Sequence, residues 1–357
     1  MSSKRLNELR KNLMADNLDG LIVTHLDHIR YLTGFTGTAG LLIVNRRGAE
    51  FYTDSRYTIQ AKKQIRGAKV HTVKTALIAA LKQFPDLNVR NRRYGFSAEY
   101  LTVGAREQLA QALPDVLLVK ADGPLARLGW VKNSAELDSI RKAVAISDTA
   151  FDRILALMAP GIRERELAAE LEYQMTMLGS ERPAFETIVA SGHRSAMPHG
   201  TASSKKLARG DFVTLDFGAT VNGYVSDITR TVVVGRATAR QKKIYGIVLR
   251  AQLAGIRKVK AGVSARAVDA VCRNIIKKAG YGTKFGHGTG HGIGYFIHLG
   301  PRVSPLSDDK LKANNVVTIE PGIYIDGWGG VRIEDDVIVT RGGCTILNRA
   351  EKKLLEL

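Results

Sequence analysis

Residues 211–234 read DFVTLDFGATVNGYVSDITRTVVV. Val213, Leu215 and Phe217 alternate with their neighbours on a first arm, and Val232 to Val234 continue a second. Asn222-Gly223 supplies the chemistry of a tight turn, so the stretch reads as a β-hairpin. Folded about Val221 and Asn222, the hairpin sets Asp216 close to opposite Asp227. Facing side chains of an antiparallel pair have Cβ atoms about 5 Å apart, and two like charges placed so are unfavourable unless a cation lies between them.

The same construction recurs downstream. VVTIEPGIYI and GGVRIEDDVIVT flank a turn containing Gly327, Gly329 and Gly330, and folding about Gly327 sets Glu320 opposite Glu334. Two hairpins, each with one facing acid pair, can close on one another. Between them in the chain lies GHGTGHGIG (286–294), too rich in glycine for an ordinary helix or strand interior and suited to close backbone approach around His291. Four carboxylates and one imidazole are a donor set for two adjacent divalent cations, Mn²⁺ first, with Co²⁺, Fe²⁺ or Zn²⁺ also accommodated. A thiolate site is excluded, since the only cysteines are Cys272 and Cys344. A metal pair lowers the pKa of a water and clamps a developing oxyanion, which is hydrolase chemistry. Any one of these acids alone would more often be solvated or salt-bridged; the agreement of two acid pairs with a glycine-flanked histidine carries the reading. GHGTG lacks the Lys-Ser/Thr ending of a phosphate-binding P-loop.

The ordered motifs PHG, LDFG, SDITRT, GHGTGHGIG, IEPGIY and RIED resemble those of the pita-bread metallopeptidase family (M24), which includes aminopeptidase P, prolidase, methionine aminopeptidase and the metal-free creatinase. The resemblance extends over essentially the whole chain. It implies an α/β creatinase-like N-terminal domain followed by an α+β pita-bread catalytic domain. It implies that Asp227 and Glu334 bridge the two metals, with Asp216 on one and His291 and Glu320 on the other. Creatinase-like members lack this ligand set. By the same resemblance His199 in AMPHG and His298, seven residues after His291, face substrate. His287 is a further active-site histidine that helps proton movement, Glu320 doubles as proton relay, and Arg332 matches an active-site arginine. Relatives often carry an acid after the second histidine, where this chain has Leu299.

Residues 1–125 read as the first domain: an amphipathic helix (Leu6, Leu9, Leu13), the strand GLIVT, the loop YLTGFTGTAG, the strand LLIVN, then FYTDSRYTIQAKKQI as strand into helix. The turn signal Ala121-Asp122-Gly123-Pro124 sets the boundary, and residues 126–357 form the second domain, opened by a helix with an Asn133/Glu136 capping box. TDSRY and GFTGTAG resemble the N-terminal domain of aminopeptidase P-like members. There one subunit of a homodimer can reach its partner's site, so Asp54, with Tyr57 beside it, is a candidate holder of a peptide α-amino group. The alternative for Asp54 is a turn held by local hydrogen bonds.

A formal net charge of +19 admits a polyanion-binding protein as a second class, but the charge is spread, with only short clusters such as Arg90, Arg92, Arg93 and Lys205-Lys206. No specific nucleic-acid site is expected, and metal-ligand completeness argues against a binding-only role. No apolar leader opens the chain and no stretch reaches the roughly 18 apolar residues of a membrane span, which predicts a cytoplasmic protein. The expected activity is a metal-dependent exopeptidase acting on Xaa-Pro bonds of proline-containing peptides, aminopeptidase P-like, with prolidase as the alternative. Proline's missing N–H and fixed φ make such bonds a special substrate.

Overall fold

The computed structural model describes residues 2–357, with side chains described from residue 4 onward. The chain divides into two compact units, Met1–Gly129 and Trp130–Leu357. The split falls beyond the Ala121–Pro124 turn because that turn is no linker: Gly123–Ala126 continues as a short helix with Pro124 at its start and Leu125 buried.

In the first unit, strands β1 (Gly20–Val23), β2 (Leu41–Asn45), β3 (Ala49–Asp54), β4 (Lys69–Val73), β5 (Arg93–Phe96) and β6 (Leu117–Lys120) form one sheet in the order β4-β3-β2-β1-β5-β6. The opening helix Ser2–Ala15 buries Leu6, Leu9 and Leu13 completely, as its spacing predicts.

The second unit holds two layered halves. In the first half, β7 (Ile188–Ser191), β8 (Phe212–Phe217) and β11 (Ile228–Val233) form a sheet in the order β11-β8-β7. The hairpin tip is β9 (Thr220–Val221) and β10 (Tyr224–Val225). Helices Ser134–Leu155 and Glu164–Met177 cover this sheet, packing Phe151, Ile154, Leu167 and Leu171 on Val213, Leu215, Phe217 and Val232. In the second half, β12 (Gly290–Gly292), β13 (Leu299–Val303), β14 (Val316–Ile319), β17 (Asp335–Val339) and β18 (Cys344–Ile346) run β13-β12-β14-β17-β18. A side ladder joins β15 (Gly322–Ile325) to β16 (Gly329–Arg332). Helices Ala239–Lys258 and Ala265–Lys278 pack Val248, Ala251, Val268 and Ile276 on Val317, Ile319, Val337 and Val339. Successive strand residues point to opposite faces, so apolar odd positions of β8 turn to the helices and Thr214 and Asp216 turn the other way. The Asn133/Glu136 box forms at the start of the first of these helices, with both reciprocal hydrogen bonds present.

Two local expectations are corrected. The first hairpin folds about Asn222 and Gly223, both at positive φ, so that Val221 pairs with Tyr224 and Asp216 pairs with Thr229, not Asp227. A two-residue turn of this kind needs φ above zero at both centres, which Asn-Gly supplies. Moving the fold axis by one residue shifts the register by two, so Asp216 and Asp227 stay on one face as diagonal neighbours. The glycine-rich run is also partly a strand: β12 sits inside the sheet between β13 and β14. A Cβ at Gly290 would lie 2.0 Å from the Thr318 carbonyl oxygen, and one at Gly292 would lie 2.2 Å from that of Gly300. The glycines serve strand-to-strand approach as well as the site.

Candidate metal centre

The second hairpin keeps the register its sequence predicts. Val316 pairs with Ile338 in one ladder and Gly322 with Arg332 in the other, so Glu320 and Glu334 face each other where the strands break between the ladders. At that break Glu320 N–H donates to the Thr289 carbonyl and Glu334 N–H to that of Thr229, which ties the second hairpin to the β12 loop and to β11. Asp216, Asp227 and Glu334 come together as a buried triad, one carboxylate oxygen of each lying within 4.8 Å of the others.

His291 completes the cluster. Its Nε2 stands 3.6 Å from Asp227 Oδ2 and 3.4 Å from Glu320 Oε1. Two donors each about 2.1 Å from one tetrahedral ion are themselves about 3.4 Å apart, so this is the spacing of shared ligands. His291 Nδ1 faces the Gly292 carbonyl at 3.2 Å, which places the proton there and leaves the Nε2 lone pair for a cation. The backbone N–H of His291 donates to Thr318 Oγ1, and that hydroxyl donates to Glu320 Oε1.

The electrostatics fit a cation-holding set. Burial, then the neighbouring carboxylates, push Asp227 and Glu334 well above the usual carboxylate range. Burial raises Glu320 to about 7, and burial with His298 nearby lowers His291 to about 3. Neutral acids and a neutral imidazole are what a buried ligand set adopts when protons stand in for metal. Asp216 Oδ1 is buried with no hydrogen-bond partner among the described residues, an acceptor that a cation would satisfy.

Around the cluster, Arg332 is buried and holds Asp216 Oδ2 at 2.5 Å, with its Nε on Thr229 Oγ1 and Nη1 on the Tyr324 hydroxyl. Tyr324 in turn donates to His287 Nε2 at 2.9 Å, because His287 Nδ1 gives its proton to the Gly288 carbonyl. Both nitrogens of His287 are thus engaged, and its pKa is lowered to about 4 by burial and Arg332. It joins the glycine-rich loop to Arg332 through the Tyr324 hydroxyl. His298 lies with its ring 4.4 Å from that of His291 and is exposed, as is His199. Burial and His199 lower the pKa of His298, so the two exposed histidines face one another's field at the open side of the cluster.

In the first unit, Asp54 accepts from Arg56 N–H at 2.9 Å and takes Arg56 Nε and Nη2 on its two oxygens. Tyr57 hydroxyl bonds Thr38 Oγ1 at 2.5 Å. Asp54 thus makes the local turn hydrogen bonds that its sequence alternative describes.

Several supporting groups escaped sequence reading. Asp336 accepts from the Asp227 N–H. Fully buried Arg230 donates to the Glu334 carbonyl and pairs with Asp335, which also receives Gln252 and Lys352. Asp269 holds Thr289 through N–H and hydroxyl and pairs with Arg273, which reaches the Phe285 and His287 carbonyls. Tyr324 and Asp336 stand inside quoted motifs. Asp269 and Gln252 lie in helices where only long-range contacts reveal them.

Residues 138–341 match the model of metallopeptidase family M24, and residues 5–128 match the Creatinase/Prolidase N-terminal domain. The chain belongs to metallopeptidase family M24. The structure of an Xaa-Pro dipeptidase from Bacillus anthracis is 42% identical, superposes with a TM-score of 0.95 and covers 100% of both chains. An Xaa-Pro dipeptidase of Pyrococcus furiosus is 38% identical over 99% of each chain. The structure of an X-Pro aminopeptidase from Thermotoga maritima is 37% identical, with a TM-score of 0.87 over 96% of this chain and 98% of that one. The chain is thus a pita-bread metallopeptidase with a creatinase-type N-terminal domain, as the sequence motifs imply.

Proposed function

We propose that this protein is a metal-dependent Xaa-Pro dipeptidase, cleaving dipeptides whose second residue is proline. The observation that carries this reading is end-to-end likeness, across both domains, to Xaa-Pro dipeptidases at 38% and 42% identity. The aminopeptidase P-like activity expected from TDSRY has weaker support, since Asp54 is taken up by Arg56. The Thermotoga likeness keeps it as the second reading.

Asp216, Asp227, His291, Glu320 and Glu334 would hold two divalent ions, of which Mn²⁺ suits the oxygen-rich set and Co²⁺, Fe²⁺ and Zn²⁺ remain acceptable to it. Bound there, the ions supply Lewis acidity and an activated water. The chain's own groups do the rest. Glu320 would relay a proton to the departing proline nitrogen, which has no N–H of its own. Arg332 fixes Asp216 and Thr229 and so sets the orientation of the ligands. His199 and His298 would meet substrate at the open side, His298 as a neutral imidazole able to hydrogen-bond a developing oxyanion. A homodimer and a cytoplasmic setting belong to the same proposal; among the described residues no helix is long and apolar enough to cross a membrane.

Mass-spectrometric product analysis with an Xaa-Pro dipeptide beside an Xaa-Pro-Xaa tripeptide, after Mn²⁺ loading and with a chelator control, tests the reading. Chelator-sensitive cleavage of the dipeptide with the tripeptide spared is the expected result. Release of the first residue from the tripeptide with the dipeptide spared moves the assignment to aminopeptidase P.

A further inference from the structure

Glu164 is fully buried in the first turn of helix Glu164–Met177 and is not a member of the metal-ligand set. Its carboxylate nonetheless collects five hydrogen bonds. They come from Ser191 N at 2.7 Å, Ser191 Oγ at 2.8 Å, Arg194 Nε at 3.0 Å, Ser203 N at 3.0 Å and Ser203 Oγ at 2.5 Å. The helix's own first N–H groups add to this, Glu164 N bonding the Lys205 carbonyl and Arg165 N that of Ser203. One side chain and one helix end therefore close both ends of residues 191–205, the segment that presents His199.

The body of that segment is tied as well. Arg194 reaches from Glu164 to the Thr201 carbonyl, and Ser195 Oγ accepts the Gly330 N–H from β16, two residues before Arg332. Lys205 Nζ links Ser191 Oγ to Asp211. Between these ties Met197 and His199 are exposed, and His199 lies near enough to His287 and His298 to disfavour their protonation. A carboxylate is the group suited to such a junction. It only accepts, offering about four lone-pair sites that the five donors share, whereas an amide would aim an N–H at groups that are themselves donors. Burial pushes the Glu164 carboxyl up, but the bonds from Ser203 and Ser191 outweigh it and leave it below its ordinary value, so it stays ionised at neutral pH.

We infer that Glu164 is a positioning residue that acts on substrate through His199, by fixing both ends of the 191–205 segment. This rests on the role proposed above for His199. The test is a double-mutant cycle of Glu164→Gln and His199→Ala on the metal-loaded enzyme, with an Xaa-Pro dipeptide as substrate. Metal content and thermal unfolding are followed in parallel. Glu164→Gln is expected to keep full metal content and to lower kcat/KM by roughly 10- to 100-fold, the scale of a contact misplaced by about 1 Å. In the His199→Ala background it should add less than about twofold, since the two act as one unit. Multiplicative losses with His199→Ala itself impaired would overturn this inference and leave the His199 role standing. A His199→Ala enzyme that turns over like the parent would overturn both. If Glu164→Gln does not fold, Ser203→Ala, which removes one of the five donors, enters the same cycle with the same expectation.

Discussion

Asp227 lies where every other member of the cluster meets: burial, then Glu334, Asp216 and Glu320, raise its pKa, His291 approaches its Oδ2, and Asp336 holds its backbone. A ligand so central should not be dispensable. Asp227→Ala is expected to lose both ions and all turnover, read by elemental analysis of the dialysed protein; full retention of metal would remove Asp227 from its bridging place. The acids also predict a pH dependence. Burial moves the Glu320 carboxyl from 4.5 to about 7, so the metal-free native protein keeps a proton that the unfolded chain gives up. Stability must then fall as pH rises through that window, because the native state binds more protons there. The Tm of metal-free wild type should drop more between pH 5 and pH 7 than that of metal-free Glu320→Gln. Parallel curves would mean that Glu320 is not strained by burial. The five candidate ligands are legible in the sequence because each stands in a short motif, LDFG, SDITR, GHGTGHGIG, IEPGIY or VRIEDD, that the family resemblance marks. The supporting roles of Asp336, Arg230 and Asp269 are not, although the first two stand in quoted stretches and Asp269 has Arg273 one turn on, because the ties to Asp227, Asp335 and Thr289 span long stretches of chain.

The hairpins show what a strand pattern can and cannot give. Alternation identified the arms and Asn222-Gly223 the turn, but the fold axis was placed one residue early. The diagonal relation of Asp216 to Asp227 survived only because a two-residue shift keeps side chains on the same face. At the second hairpin Gly327 gave the register directly. β12 was misread, because glycine is poor in strands generally and the 2.0 Å approach of the Thr318 carbonyl at Gly290 is a three-dimensional fact. It yields a prediction: Gly290→Ala must push β12 from β14. The expected loss of stability is about 1–3 kcal/mol in denaturant unfolding, with weakened metal binding because His291 is the next residue. A variant as stable as the parent would show that the strands separate freely. The Asn133 cap offers a milder case. Asn133→Ala should cost about 1 kcal/mol and leave metal content unchanged.

Across the whole molecule, the sequence shows a two-domain chain through the turn signal near Ala121–Pro124 and the pita-bread class through its motifs, whereas the split at Gly129 and the two layered halves of the second unit emerge only from the packing. The formal net charge of +19 is spread along the sequence, with only short basic clusters. Any affinity for DNA should be non-specific and collapse between about 50 and 200 mM salt, as counterion release requires, in a simple titration. The substrate class comes from likeness over the full chain and the metal requirement from the cluster itself, so the two can be tested apart. The most direct test of the cluster is calorimetric titration of the chelator-stripped protein with Mn²⁺, with His291→Ala in parallel. Two ions per wild-type chain and at most one per variant chain are predicted. Binding of none, or the same count in both proteins, would contradict a two-ion centre built on Asp216, Asp227, His291, Glu320 and Glu334.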